Sequence, residues 1–212
     1  MNRRALYIIL LLVISCVDRN KKPDHTESIF TYKPDSIALK LNNKAVLLIG
    51  DAAHTYDTLK NVLYDSAITY LNQAIEIDSS YLLAYTNKAQ ALQRKGSLME
   101  ALEVLNRVEI IKPDFVDVIV GQGFILEKLG QMESADQKYK QALKAYEKRL
   151  ADDPQNDKVQ SDIAFLYIFL EDRNAALDEI RDLILENPES EQLKMMEGLI
   201  KDFDRKKFID EY

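Results

Sequence analysis

Apolar and polar residues alternate along most of this chain with the period of a helix. Between residues 36 and 202, apolar residues recur at i, i+3 and i+4 spacing, which predicts a series of amphipathic helices. Three of these segments stop just before Pro113, Pro154 and Pro188. Because proline ends or opens a helix, these prolines mark boundaries between repeated units, and the last two lie 34 residues apart.

Small residues occur in pairs, which indicates that two helices pack closely within each unit. The pairs lie twelve residues apart and are Ala89 with Ala101, Gly123 with Ala135, and Ala164 with Ala176. A small side chain on each helix allows the two axes to approach to roughly 8–10 Å. Gly96 and Gly130 fall where the first helix of a unit must end, because glycine tolerates left-handed geometry. The sequence therefore predicts pairs of antiparallel helices.

These features divide the chain into about four units followed by one capping helix. The predicted units span residues 36–78, 79–113, 114–154 and 155–188, with a cap at 189–202 and a tail at 203–212. The first unit carries extra residues, which we place in its turn, around residues 49–59. In the third unit the second helix is lengthened instead, up to Pro154. A cap is expected because the last unit of a solenoid exposes an apolar face.

The spacing of small, bulky and proline positions resembles the tetratricopeptide repeat, a helix-turn-helix unit of 34 residues. The resemblance implies an all-α fold, a right-handed superhelical solenoid of antiparallel helix pairs that binds other proteins. Lys88, Gln160 and Glu171 depart from the family pattern, which usually has leucine, a large residue and glycine there. The alternative interpretation of the whole pattern is a generic helical bundle.

The first sixteen residues have the composition of an export signal. Asn2-Arg3-Arg4 precedes an apolar stretch at residues 5–14, about ten residues long, whereas a membrane-spanning helix needs roughly 20. The stretch ends at Val13-Ile14-Ser15-Cys16, which resembles the lipobox of bacterial lipoproteins. The resemblance implies that residues 1–15 are a cleaved signal peptide and that Cys16 is acylated. The alternatives are a plain signal peptide or a buried thiol.

Residues 16–35 then connect the lipid to the repeats. This stretch is polar and charged and contains Pro23, which predicts a flexible tether. Several acyl chains together give a stable membrane anchor. Asp18 lies one place later than the aspartate that favours inner-membrane retention in such lipoproteins. By that resemblance we expect the outer membrane, with the protein facing the periplasm.

Composition supports helices and excludes one class of partner. There are only 6 Gly and 5 Pro, whereas strand-rich folds need many turns built from these residues. The formal net charge is -7, and the sequence has no basic patch interleaved with aromatic residues. Since nucleic-acid binding requires basic surface to neutralise phosphates, we expect no nucleic-acid partner.

Residues that support catalysis or metal binding are few. The two histidines, His25 and His54, lack the spacing of a metal-binding pair, and the single cysteine is assigned to lipid. The one Gly-x-Gly, at Gly121 and Gly123, lies in a predicted helix, where close packing explains it better than a phosphate loop. We therefore expect no enzyme activity, cofactor, metal or small-molecule substrate.

The resemblance also implies where a protein or peptide partner binds. In this family ligands lie in the concave groove formed by the first helix of each unit. The candidate residues at matching positions are Gln90 and Arg94 in the second unit, Val120, Phe124 and Lys128 in the third, and Phe165, Ile168 and Phe169 in the fourth. Some members clamp a partner's terminal carboxylate with Lys and Asn; Thr86 and Gln90 replace these here, so we expect no such ligand.

Two interpretations of the large apolar candidates stay open. The three phenylalanines and Ile168 are either anchors for a partner, as aromatic residues in interfaces often are, or ordinary core. In the second interpretation they pack between helices of the repeats, or the terminal tail covers them through Phe203, Phe208 and Tyr212.

These expectations combine into one functional hypothesis and a rival. The first is a non-catalytic, lipid-anchored adaptor that mediates protein–protein interaction at a bacterial envelope membrane. The rival is an assembly factor, or pilot lipoprotein, for an outer-membrane or secretion complex. Stable co-purification with one complex favours the adaptor, whereas loss of a partner's membrane insertion in a deletion strain favours the pilot.

Overall fold

The computed structural model describes residues 32–55 and 58–212. This part of the chain contains ten α-helices and no strand. In chain order the helices are α1 (Ser36–Ala53), α2 (Thr58–Ile77), α3 (Leu82–Lys95), α4 (Leu98–Ile111), α5 (Val116–Lys128), α6 (Met132–Asp152), α7 (Asp157–Leu170), α8 (Arg173–Glu186), α9 (Glu191–Lys201) and α10 (Arg205–Glu211). The predictions made for residues 1–31, including the signal peptide, Cys16 and most of the tether, lie outside the described residues.

Each helix from α1 to α8 packs against the next one along the chain. The repeated pairs are α1 with α2, α3 with α4, α5 with α6, and α7 with α8. Helix α9 then packs on both α8 and α7, and so covers the last pair. The fold is therefore an all-α helical-repeat solenoid with a terminal capping helix, as the sequence predicts.

Local signals fix where the helices begin and end. The Asp35 carboxylate accepts a hydrogen bond from the main-chain N of Ile37 at 2.7 Å, and Asp172 caps α8 in the same way. Gly96 and Gly130 end the first helices of two units with φ angles of 93° and 75°. These angles lie in the left-handed region, which confirms the role predicted for the two glycines.

The paired small residues lie at points of tight helix packing. Ala101, Ala135 and Ala176 have no exposed surface. Gly123 faces the ring of Tyr139, and a Cβ built on this glycine would lie only 2.7 Å from Cδ1 of that ring. Even one methyl group is therefore too large at this position.

The first unit differs from its predicted form. Helices α1 and α2 contain 18 and 20 residues, so the extra residues lengthen both helices rather than the turn. Ile49 and Ala52 continue the buried stripe of α1, and their burial favours further helix over loop. In the third unit, α6 is one helix of 21 residues, and Tyr146 near its end is buried.

The core is layered along the solenoid. One cluster of buried side chains lies mainly in the first unit and another in the second. The largest cluster joins the third and fourth units to α9 and to residues after it. Phe203, Phe208 and Ile209 belong to this cluster, and α10 packs on α5. The segment expected to be a tail thus forms a helix that packs on the repeats.

Candidate protein-binding groove

The first helices of the four units, α1, α3, α5 and α7, carry equivalent residues in register. One position expected to face the groove is occupied by Val46, Gln90, Phe124 and Phe165, from the first unit to the fourth. The side chains in this row change from aliphatic and polar to aromatic. We call the part contributed by α1 and α3 the N-terminal half of the groove, and the part contributed by α5 and α7 the C-terminal half.

An aromatic cluster fills the C-terminal half. The ring centroid of Phe124 lies 5.0 Å from that of Phe208 and 4.9 Å from that of Tyr212. The centroids of Phe165 and Phe203 are 5.1 Å apart. All three pairs are edge-to-face, the arrangement that the ring quadrupoles favour. In each pair one ring comes from the repeats and the other from residues 203–212.

Helix α10 carries Phe208, and Phe203 and Tyr212 lie just before and just after it. The Asp204 carboxylate caps it by accepting a hydrogen bond from the main-chain N of Lys207 at 2.9 Å. Phe208 and Ile209 are buried, whereas Lys206 and Asp210 are exposed. An isolated helix of 7 residues is not stable in water, so the conformation of α10 depends on the groove that receives it.

An ion pair fixes the first turn of α10. Nε and Nη2 of Arg205 donate to the two carboxylate oxygens of Glu127 at 2.8 and 3.0 Å. The Arg205 guanidinium also lies 5.2 Å from the ring centroid of Phe169, a cation–π contact. Glu127 accepts a further hydrogen bond from the Tyr139 hydroxyl at 2.8 Å, and its side chain is only 10% exposed. The carboxylate therefore depends on Arg205 for charge compensation.

Groove side chains bind the main chain at the other end of α10. Lys128 Nζ donates to the carbonyl oxygen of Asp210 at 3.0 Å, and Gln93 Nε2 donates to the main-chain oxygen of Tyr212. Burial lowers the pKa of Lys128, and the charge of Asp210 opposes this shift. Burial raises the pKa of Tyr212 to about 12. Both shifts are those of groups withdrawn from water.

Among the described residues, none forms such a cover over the N-terminal half. Leu39 and Val46 on α1 are 40% and 45% exposed. A Cβ built on Gly50 would meet no atom within 4 Å. On α3, Gln90 and Arg94 are half-buried at the border of this surface. The N-terminal half is thus an accessible apolar strip beside polar side chains.

The candidate residues divide between these two surfaces. Phe124, Ile168 and Phe169 are buried in the C-terminal half, and Val120 and Phe165 pack against the same cluster. Lys128 binds the tail. Gln90 and Arg94 lie at the border of the N-terminal half. The tail covers the aromatic candidates, which is the second of the two interpretations that the sequence left open. That they also anchor a partner stays a prediction.

The sequence predicted only part of what holds the tail. Lys128 is a predicted site residue, and Gln93 and Glu127 lie at groove-facing positions of the repeat, whereas Arg205 was not predicted. Arg205, Phe208 and Tyr212 have the i, i+3 and i+7 spacing of one helix face, and Asp204 before them is a typical N-cap. These local signals are sufficient to predict a short helix, although they do not indicate where it packs.

Three further features concern the surface of the described residues. An open cleft of about 600 Å³ lies beside the turn between α9 and α10, lined in part by Ile168, Asp172 and Phe203. Within residues 32–55 and 58–212, no three His, Cys, Asp or Glu side chains lie close enough together to hold a metal ion. None of the described helices combines the length and apolarity needed to cross a bilayer.

Comparisons with known proteins agree with this architecture. Family models described as tetratricopeptide repeat match residues 49–81 and 125–200, together just over half of the chain. The repeated pairs of antiparallel helices and their groove define a helical-repeat scaffold. The chain belongs to the tetratricopeptide repeat family, and these repeats mediate protein–protein interaction. Among curated proteins the sequence finds no match.

Several solved structures are similar to part of this chain. A tetratricopeptide repeat protein from Parabacteroides merdae ATCC 43184 is 18% identical, with a TM-score of 0.44, over 75% of this chain and 59% of that one. A thermophilic tetratricopeptide repeat protein from Thermus thermophilus is 22% identical, with a TM-score of 0.47, over 78% and 86%. The TPR2AB domain of yeast Sti1, in a complex with pHSP90, is 15% identical, with a TM-score of 0.42, over 78% and 83%. This chain thus spans less than two thirds of the Parabacteroides protein.

Proposed function

We propose that the protein is a non-catalytic, lipid-anchored adaptor that holds a protein partner at a bacterial envelope membrane, on the periplasmic face of the outer membrane. The observation that carries the binding role is the N-terminal half of the groove. Leu39 and Val46 lie two turns apart on one face of α1, and both expose a large share of their apolar surface.

The chemistry of this surface fits a peptide segment of a partner. Burying Leu39 and Val46 against apolar side chains removes their surface from water, which favours association. The Gln90 amide at the border provides donors for a partner's carbonyl or carboxylate oxygens. An apolar centre with a polar rim is typical of protein interfaces.

The binding role is tested with two matched substitutions at exposed aliphatic residues. Val46→Glu places a charge in the N-terminal half, whereas Ile110→Glu places the same charge on α4, where Ile110 is 81% exposed. Partner capture from intact envelopes, by crosslinking and identification of the captured protein, should fail for Val46→Glu and persist for Ile110→Glu. Equal capture by both variants would contradict the assignment of this surface.

The membrane role is supported by the Val13-Ile14-Ser15-Cys16 sequence, which follows a short apolar stretch. If Cys16 carries lipid, Cys16→Ala should move the protein out of the membrane fraction or leave it unprocessed. Val46→Glu is the control and should stay with the membranes. Outer-membrane location is checked by separating the two membranes on a density gradient. Unchanged mass and unchanged fractionation of Cys16→Ala would rule out the anchor.

A further inference from the structure

We propose that α10 is a displaceable occupant of the C-terminal half of the groove, and that the partner replacing it is an amphipathic helix of the same chemistry. That chemistry is an arginine followed by aromatic residues three and seven positions later, as in Arg205, Phe208 and Tyr212. The proposal rests on the proposed binding role and specifies a second surface together with the kind of partner it fits.

The C-terminal half recognises features that any suitable helix can present. Phe124 receives an aromatic ring, and Glu127 receives a guanidinium. Lys128, together with Gln93 from the neighbouring α3, binds main-chain oxygens, so these two contacts do not depend on the residue types of the tail. The last carbonyl groups of a helix have no partner within the helix, and the two donors satisfy groups of this kind. The surface is therefore built to hold the C-terminal turns of a helix.

The length of α10 makes it easy to displace. Its 7 residues are fewer than the roughly 12–15 at which isolated helices become even marginally stable. Only Asp202, Phe203 and Asp204 connect it to α9. The open cleft beside this turn leaves room for the connection to move.

The surface under α10 favours exchange of one helix for another over simple loss of the tail. Removal of α10 would expose Phe124 and Phe169, which are now 7% and 4% exposed, and would leave the Glu127 carboxylate without Arg205. Contiguous apolar surface of this kind is unfavourable in water. A partner helix with the same pattern covers the rings and compensates the carboxylate again.

The test uses the full chain and a labelled peptide with the sequence of residues 203–212. Phe208→Ser and Arg205→Ala loosen the tail, whereas Lys206→Ala alters an exposed side chain of the same helix. By fluorescence anisotropy, the peptide should bind the loosened variants about tenfold or more tightly than it binds the parent or Lys206→Ala. The reason is that the apparent affinity scales with the fraction of molecules whose groove is open.

The controls keep the outcome clear. A peptide with serine at the positions of Phe208 and Tyr212 should not bind, and circular dichroism checks that each variant keeps its helices. If the Phe208→Ser variant does not fold, peptide binding to the Arg205→Ala variant tests the proposal instead. Equal binding to all variants, or binding to none, overturns the proposal. Loosened variants that dimerise and then exclude the peptide would overturn it in favour of a second copy as the occupant.

The result is separable from the proposed function. If the peptide does not bind the loosened variants while partner capture still depends on Val46, the adaptor role is retained and only the proposed role of α10 is contradicted. If the peptide binds as expected while Val46→Glu captures the partner normally, the N-terminal half is not the docking surface.

Discussion

At one register position of the groove the first unit has Val46, which is 45% exposed, and the third has Phe124, which is 7% exposed beneath α10. The two residues occupy matching turns of matching helices, but their side chains differ in size, and Phe124 lies beneath α10. A scattered exposed aliphatic side chain is ordinary on a protein surface, whereas adjoining phenylalanines form a patch that a monomer rarely leaves bare. The comparison shows that register alone does not decide which positions of a repeat face a partner.

The neighbouring register position leads to the same conclusion. It is Gly50 in the first unit, where a Cβ would meet nothing, and Lys128 in the third, where the ammonium group binds the main chain of Asp210. In the N-terminal half these positions are available to another molecule. In the C-terminal half they are used within the chain, so access there requires α10 to move.

The largest expected difference between the halves is the cost of removing a side chain. Phe124→Ala deletes a ring that packs against Phe208 and Tyr212, and it should lower the free energy of unfolding by about 3–5 kcal/mol. Val46→Ala at the matching position should change it by no more than about 0.5 kcal/mol, the usual range for surface sites. Chemical denaturation of both variants measures the contrast. Similar losses for the two would show that the halves are equally buried.

The second prediction concerns the ion pair under the tail. Arg205→Ala removes both hydrogen bonds to Glu127, and should cost about 1.5–3 kcal/mol, as is typical of hydrogen bonds to charged groups. Lys206→Ala, next in sequence and exposed, serves as the control and should stay near the parent. Thermal unfolding of the pair measures the effect. A parent-like melt of Arg205→Ala would show that the tail is not held by this contact.

The third prediction compares two glycines inside helices of the two halves. Gly123→Ala drives a methyl group against the ring of Tyr139 and should destabilise the fold by about 1–3 kcal/mol through overpacking. Gly50→Ala meets open space and should instead stabilise it by roughly 0.5–1 kcal/mol, because alanine favours helix. Unfolding curves for both variants decide. The same sign of change at both sites would contradict the packing described.

The smallest effect is expected at alkaline pH. Burial raises the pKa of Tyr212 from its ordinary value of 10.0 to about 12, and a hydrogen bond with Gln93 and the charge of Arg94 oppose this shift. The pKa of Tyr212 is higher in the folded state than in the unfolded state, so its protonated hydroxyl contributes to the free energy of unfolding below pH 10. This contribution is lost between pH 10 and 12, by up to roughly 2 kcal/mol. Tyr212→Phe should lack this loss when stability is measured across that range. Parallel pH curves for parent and variant would contradict it.

The fold was predictable because its signals are local and repeated. The local sequence predicts where helices end, at Gly96 and Gly130, and where helices pack closely, at the paired small residues. The same pattern recurs in several units, so the prediction is made more than once. The departures at Lys88, Gln160 and Glu171 leave the architecture unchanged. The lengthened helices of the first unit were harder to predict, since residues 49–59 carry both helical spacing and the position of a turn.

The closed half of the groove was only partly predictable. The repeat register predicted phenylalanines at the groove positions, and the aromatic residues of the tail indicated that the tail could cover them. The contact that fixes the cover joins Arg205 to Glu127 across 78 residues of sequence, and no local pattern encodes such a pairing. A burial that depends on tertiary contacts follows from the three-dimensional arrangement and not from periodicity.

The docked helix also changes how strongly the stability of one repeat is coupled to that of the others. Units of a solenoid normally contact only their neighbours, so each contributes an almost independent increment and the ends fray. The tail instead bonds to Gln93 of the second unit through Tyr212, 119 residues later in the chain. Phe208 of α10 packs on Phe124 of the third unit and on Phe169 of the fourth. These contacts couple the second, third and fourth units directly, so we expect the three to unfold as one cooperative block. The first unit is joined to that block through the packing of α1 and α2 on α3, and we expect it to unfold before the block.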